Sequence, residues 1–246
     1  TPQGLPVMPV DAILVGTAAM AAKESTASES VKKALVETTG LPAQDGWVEA
    51  GTARSGMASG RSQLGADIHE IDNSFAKAGR LIDEVAGDAD AVAARRAEII
   101  AAIDKTAKPY FGDLTEMTYQ QWLERYAEIS YRGDWVDISW AKRLAEMIDR
   151  TQARLDETDH GQITPSVTYN PEDEADPAAA LRDVVKAYPQ AATTLLHPAD
   201  IAWFITLLRS KGKPACFVPV IDKDVRLWWR ADSLWQAHDS RYDADE

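Results

Sequence analysis

Apolar and polar positions along this chain fall mostly into three- and four-residue steps, the spacing of an amphipathic helix. The steps are clearest from about Ile68 to Leu155. Ile71, Phe75, Ala78, Leu81, Ile82 and Val85 make one stripe, and Val92, Ile99, Ile100 and Ile103 a second. Trp122, Leu123, Tyr126 and Ile129 make a third, and Trp140, Leu144, Met147, Ile148 and Leu155 a fourth. Four helices are predicted here. Asp88 is placed to cap the second, which runs to about Thr106, and Thr118 to cap the third. Asp137 or Ser139 caps the fourth, because a short side-chain oxygen can accept first-turn amides. Pro109 and Gly112 break the chain between the second and the third.

The pattern differs on either side of this block. Val10 to Gly16 is a short β-branched run, apolar on both faces, as in a buried strand of a parallel sheet. Helix formers follow from Ala18 to Lys23, so strand, Gly16-Thr17 and helix read as one βα step. Residues 28–37 predict a second helix, capped by Ser28 or Ser30 and ended by Gly40 and Pro42. From Gly46 to Gly65 there are five glycines and four serines or threonines, which predicts a long loop. Residues 156–177 hold four Asp and three Glu with few large apolar groups, which predicts a solvated linker. Two short helices are expected at 178–187 and 199–209. Phe217 to Ile221 reads as extended, with Asp222 capping the turn into Arg226-Leu227-Trp228-Trp229-Arg230. No internal repeat is evident.

Charge narrows the classes of partner. The 246 residues carry 26 Lys plus Arg against 39 Asp plus Glu, a formal net charge of −13. Such a chain is ill suited to non-specific nucleic-acid binding or to anionic lipid, both of which need a basic surface. The longest apolar stretch, Ala12 to Ala22, is about half the roughly twenty residues of a membrane span. With Cys216 as its one cysteine, the chain cannot form an internal disulfide, and a cytoplasmic setting is expected.

Candidate chemistry is sparse. A glycine at a strand end before a helix can let amides approach a phosphate, so Gly16 and Thr17 are one possible phosphate step. His69-Glu70 begins like a metalloprotease helix, but position 73 is asparagine, so His69 reads as a capping or hydrogen-bonding residue at the start of its helix. His160, His197 and His238 are dispersed, and His197 precedes a proline, as in a turn. No metal site is assigned: Asp222, Asp224, Asp232 and Asp239 have Arg226 and Arg230 among them as ion-pair partners. Trp228, Trp229 and Trp235, with Trp203 and Phe204 upstream, read as a docking surface rather than a ligand pocket, with Arg226 and Arg230 able to stack on the rings. No complete set of acid, base and nucleophile is present, so no catalytic residue is assigned.

Several segments nevertheless resemble one family. Met8 to Met20 resembles the last barrel strand of the enoyl reductase in type I fatty acid synthases of the fungal and actinobacterial kind. Ala22-Lys23-Glu24, Ser62 to His69 and Asp113 to Tyr119 match further segments, with Ala66-Asp67 where fungal members tend to have Glu-Pro. The most specific match runs from Lys213-Pro214 through Phe217-Val218-Pro219-Val220-Ile221-Asp222 to Asp232-Ser233-Leu234-Trp235-Gln236, and the details lean actinobacterial.

The resemblance implies an FMN-containing TIM-type barrel that uses NADPH to reduce the enoyl thioester on acyl carrier protein. Gly16 and Thr17 match one half of that family's grip on the FMN phosphate. The other half and the upstream glycine-histidine-rich catalytic motif have no counterpart here, and a whole barrel needs roughly 200–250 residues. The expected fold is therefore mainly α, with the last βα step of a truncated TIM-type barrel. Residues 1–60 would end the barrel and carry a Gly-rich loop, and 61–155 would form a helical subdomain. Residues 156–177 would form an acidic linker, and 178–246 a Trp-rich mixed tail connecting toward the dehydratase. Expected partners are the remainder of the synthase chain, its other subunits and acyl carrier protein. Alone, the segment should be inactive, and its strand at 10–16 and its tryptophans should favour self-association. The competing expectation is a free-standing helical interaction module.

Overall fold

The computed structural model describes residues 15–39, 48–49, 51–61, 67–131, 135–156, 166–172 and 176–230. The chain divides into two compact units, Thr1–Ala76 and Lys77–Glu246.

In the first unit, α1 (Thr17–Ala21) follows Gly16, and α2 (Glu29–Glu37) is capped by Ser28, whose side chain accepts from Val31 N. The strand predicted at 10–16 lies almost wholly outside the described residues. Its last two positions, Val15 and Gly16, are exposed coil. The glycine-rich stretch, predicted to be a loop, instead forms an antiparallel meander of β1 (Ala53–Arg54), β2 (Met57–Arg61) and β3 (Asp67–Ile71). The reason is the turn. Ser55 and Gly56 both have positive φ, 52° and 78°, and a two-residue hairpin with two such positions twists as its strands do. That turn sets Arg54 against Met57, and β2 then pairs with β3 so that Ser59 faces His69. His69 therefore sits on a strand rather than at a helix start, although it does bond to backbone, its Nε2 lying 3.3 Å from both the N and O of Val48.

The second unit is helical. α3 (Ser74–Val85) begins at the end of the first unit and buries Ala78, Leu81, Ile82 and Val85, leaving Phe75 exposed. The helix predicted from Asp88 to Thr106 is two: α4 (Ala89–Ala94), capped by Asp88, and α5 (Arg96–Ile103). They divide at Arg95, whose backbone leaves the helical region at φ −106° and ψ 13°. Its guanidinium holds Glu84 at 2.6 Å and Glu98 at 2.8 Å. α6 (Tyr119–Ser130) starts at a capping box in which Thr118 and Gln121 satisfy each other's amides. α7 (Ile138–Leu155), capped by Asp137, buries Trp140, Leu144, Met147, Ile148 and Leu155 as its stripe requires. α8 (Ala178–Ala187) and α9 (Pro198–Leu207) follow, the latter capped by His197 with Pro198 at its first position. Of the stretch predicted extended, Phe217 lies in a bend and Val218 makes an isolated parallel bridge to Tyr110, and α10 (Val225–Trp229) is the last described helix.

One aromatic-rich core joins these helices. Phe204 lies at its centre, 5.3 Å from Phe111, 5.2 Å from Trp122 and 6.2 Å from Tyr126 between ring centroids. Phe217 stacks on it at 6.5 Å. The acidic stretch is not wholly solvated: Val167 and Tyr169 are buried in this core, and the Gln152 side chain, itself buried, ties both backbone groups of Val167. Trp228 and Trp229 are core residues too, so they form no docking surface and cannot drive self-association. The third tryptophan of that group, Trp235, and the matched segment at 232–236 lie outside the described residues. Among the described residues no helix is long and apolar enough to cross a membrane.

Candidate functional site

The densest polar chemistry sits where α7, α9 and the start of α6 meet. Asp200 is wholly buried in the first turn of an otherwise apolar helix. α7 presents Arg150 and Arg154 one turn apart on the same face. Arg150 Nε donates to Asp200 Oδ1 at 2.6 Å, and Arg154 spans both oxygens at 2.8 and 3.0 Å. Tyr119 Oη donates to the same carboxylate and accepts from His197 N at 3.2 Å. Burial alone would raise the Asp200 pKa, but hydrogen bonds from Arg154, Tyr119 and Arg150 outweigh it and hold the carboxyl at about 2. Burial, and then donation to Asp200, pushes the Tyr119 hydroxyl up to about 12. A carboxylate this saturated has no lone pair left to accept a proton at neutral pH. Its chemistry is that of a brace between helices.

Arg143 tells a similar story. It is buried, and its guanidinium donates to the carbonyls of Lys213 at 2.7 Å and Ser210 at 3.0 Å, capping the chain that leaves α9. Trp140 Nε1 donates to Lys213 O and Pro214 O, and Ser139 Oγ accepts from Lys213 N at 2.9 Å. Gly212 has φ +118°, and a Cβ there would fall 2.3 Å from Ser139 Cβ, so only glycine lets the loop lie on α7. The Lys213 ammonium rests over Trp135 and Trp140 at 5.0 and 5.3 Å from the ring centroids. The Lys213-Pro214 motif thus marks a loop gripped by α7.

The Asp113 to Tyr119 motif has a comparable place. Asp113 accepts from Arg96 and, at 2.8 Å, from the Tyr110 hydroxyl, while Arg125 donates to the carbonyls of Tyr110 and Phe111 at 2.9 and 3.0 Å. Tyr110, Phe111, Asp113 and Arg125 wall an open hollow beside Met117.

The sequence-predicted site residues lie elsewhere. Gly16 and Thr17 are exposed at the start of a five-residue helix, and among the described residues nothing comes within 4 Å of where a Cβ on Gly16 would stand. The Gly16 carbonyl is used within that helix, accepting from Ala19 N and Met20 N. Among the described residues no wall encloses a phosphate there, and residues 1–14 lie outside them. Arg226 and Arg230, expected to neutralise Asp222 and Asp224 or to stack on tryptophan, both pair with Asp83 at 2.8 Å. The Asp222 carboxylate instead caps the turn, accepting from Asp224 N. Asp232, Asp239, His160 and His238 lie outside the described residues.

Neither Asp200 nor Arg143 was found from the sequence. Both carried a signal: a carboxylate inside Pro-Ala-Asp-Ile-Ala-Trp-Phe-Ile, and arginines at helical spacing on the apolar side of α7.

What the fold and these contacts define is a mainly helical domain, in which the ionised groups described above hold elements together. The family described as "Fatty acid synthase subunit beta/Fas1-like, helical" matches residues 1–246. The chain is similar to the fatty acid synthase subunit beta of Gibberella zeae, 34% identical over 259 residues that cover 96% of this chain and 12% of that protein. It is similar also to that of Saccharomyces cerevisiae, 29% identical over 94% of this chain and 12% of that protein, and to the beta subunit hexB of Dothistroma septosporum, 32% identical over 95% and 13%. The chain spans about an eighth of the length of the curated relatives it matches. It belongs to the fatty acid synthase subunit beta/Fas1-like helical family, as the resemblance to type I synthases implied.

Proposed function

We propose that this chain is an architectural segment of a type I fatty acid synthase working in the cytoplasm. Residues 1–60 complete the end of the FMN- and NADPH-dependent enoyl reductase barrel, and residues 61–246 orient that barrel and bridge toward the dehydratase. The partners are the rest of the synthase chain, its other subunits and acyl carrier protein. Gly16 and Thr17 would meet the FMN phosphate only with the missing half of the grip beside them. FMN would supply hydride transfer to the enoyl thioester, while this chain's own residues supply position.

The observation that carries the proposal is the match over 1–246 to a helical segment that makes up about an eighth of its relatives. The saturated Asp200 brace supports it, because the most reactive-looking group in the helical unit is committed to structure.

The test is the size of the native polypeptide, read with an antibody to residues 213–230 on a denaturing gel of the source cells. We expect a band about eight times the size of this chain. A band at the chain's own size would overturn the proposal in favour of a free-standing interaction module. In parallel, purified residues 1–246 should be colourless and show no NADPH-dependent enoyl reduction, and a yellow, active preparation would contradict the architectural assignment.

A further inference from the structure

We infer that α10 is a clasp, which ties the last described helix of the second unit to its first and opens before the rest of the core does. α3 brings the chain into the unit and α10 is the last helix described in it, yet the two are joined across 147 residues of sequence. The contact has a steric part and an ionic part. At Gly79 a Cβ would lie 3.2 Å from Trp229 Nε1, so the missing side chain makes the seat for the indole. One turn on, Asp83 receives both Arg226 and Arg230 at 2.8 Å. Gly87 N donates to Lys223 O at 2.9 Å, just before α10, and Lys108 Nζ donates to Trp229 O at 3.3 Å, at its end.

A helix of five residues has too few internal hydrogen bonds to persist alone, so α10 exists because its seat exists. The side chains of Arg226 and Arg230 are about half exposed, and ion pairs of that kind are weak and exchange readily. The Asp200 brace, by contrast, is buried. α10 buries three side chains, Val225, Trp228 and Trp229, where α6 buries five residues and α7 nine, so with its ion pairs weak its opening free energy is the smaller one. The inference does not rest on the enoyl reductase reading.

The test is amide hydrogen exchange on residues 1–246, comparing the parent with Asp83→Ala, with Arg226→Ala/Arg230→Ala, and with Gly79→Leu. In the parent, amides of 225–230 should open well before those of α6 and α7. Asp83→Ala, an exposed substitution that keeps the fold, should speed α10 exchange about fivefold and leave α6 and α7 unchanged. The double arginine variant should do the same, and adding Asp83→Ala to it should change nothing further. Gly79→Leu should speed α10 more than either. If α10 and α6 exchange at one common rate in the parent, or if Asp83→Ala accelerates all helices equally, α10 opens only together with the rest of the core and the clasp is refuted.

Discussion

The two units of this chain bury their side chains in very different ways. In the first, neither α1 nor α2 contains a buried residue, and the described buried residues are Val48, Ala58 and Ser59. Val15, Met20, Val31 and Val36 are exposed there. In the second, every helix from α3 to α10 buries apolar side chains into one cluster that runs from Ala78 to Trp229. Buried apolar area is the main favourable term in folding. The helical unit therefore carries the stability, while α2 is a helix by local propensity and its Ser28 cap and α1 is a short exposed turn with no side-chain cap. That is how a segment would look if its first part were made to be covered by neighbouring protein and its second to stand on its own.

Substitutions sharpen the contrast. The largest effect is expected at Phe204, where five aromatic rings meet: Phe204→Ala should cost about 4 kcal/mol of unfolding free energy in a denaturant titration. Next is Asp200→Asn, which strips the charge that two guanidiniums and a tyrosine are built around, and should cost about 3 kcal/mol. The same carboxylate sets an acid limb. Its folded pKa of about 2 lies below the ordinary carboxylate value, so its contribution is fully present above about pH 4 and is lost as pH falls toward 2. Stability measured between pH 5 and 2 should therefore fall by about 2 kcal/mol more in the parent than in Asp200→Asn. Thr118→Ala removes the capping box of α6 and should cost about 1 kcal/mol. The smallest effect is expected in the first unit: Val36→Ser, at a largely exposed position, should stay within about 0.5 kcal/mol of the parent. A loss of several kcal/mol there would mean that α2 is packed in a way the contrast denies.

Much of the helical unit could be read from its pattern, and the reasons for the exceptions are specific. The Ser28, Asp88, Thr118 and Asp137 caps and the stripe of α7 follow from local rules that tertiary structure did not override. The meander at 53–71 was hidden because its glycines look like those of a loop, and the distinguishing feature is a pair of positive-φ residues at 55 and 56. The break at Arg95 coincides with its ion pairs to Glu84 and Glu98, and the apolar spacing on either side does not mark it. Tryptophan density at 228–229 could not separate a surface from a core, because an indole suits both. Only the seat at Gly79 decides it. The Asp200 brace joins residues 46 to 81 positions apart, beyond the reach of spacing rules.

The most direct test of this account is residue-resolved amide exchange on the isolated chain. Amides of α6 and α7 should exchange only through global unfolding, while those of α1 and α2 should exchange orders of magnitude faster. Protection of α2 equal to that of α7 in the isolated chain would contradict it, because the first unit would then need no neighbour to complete it.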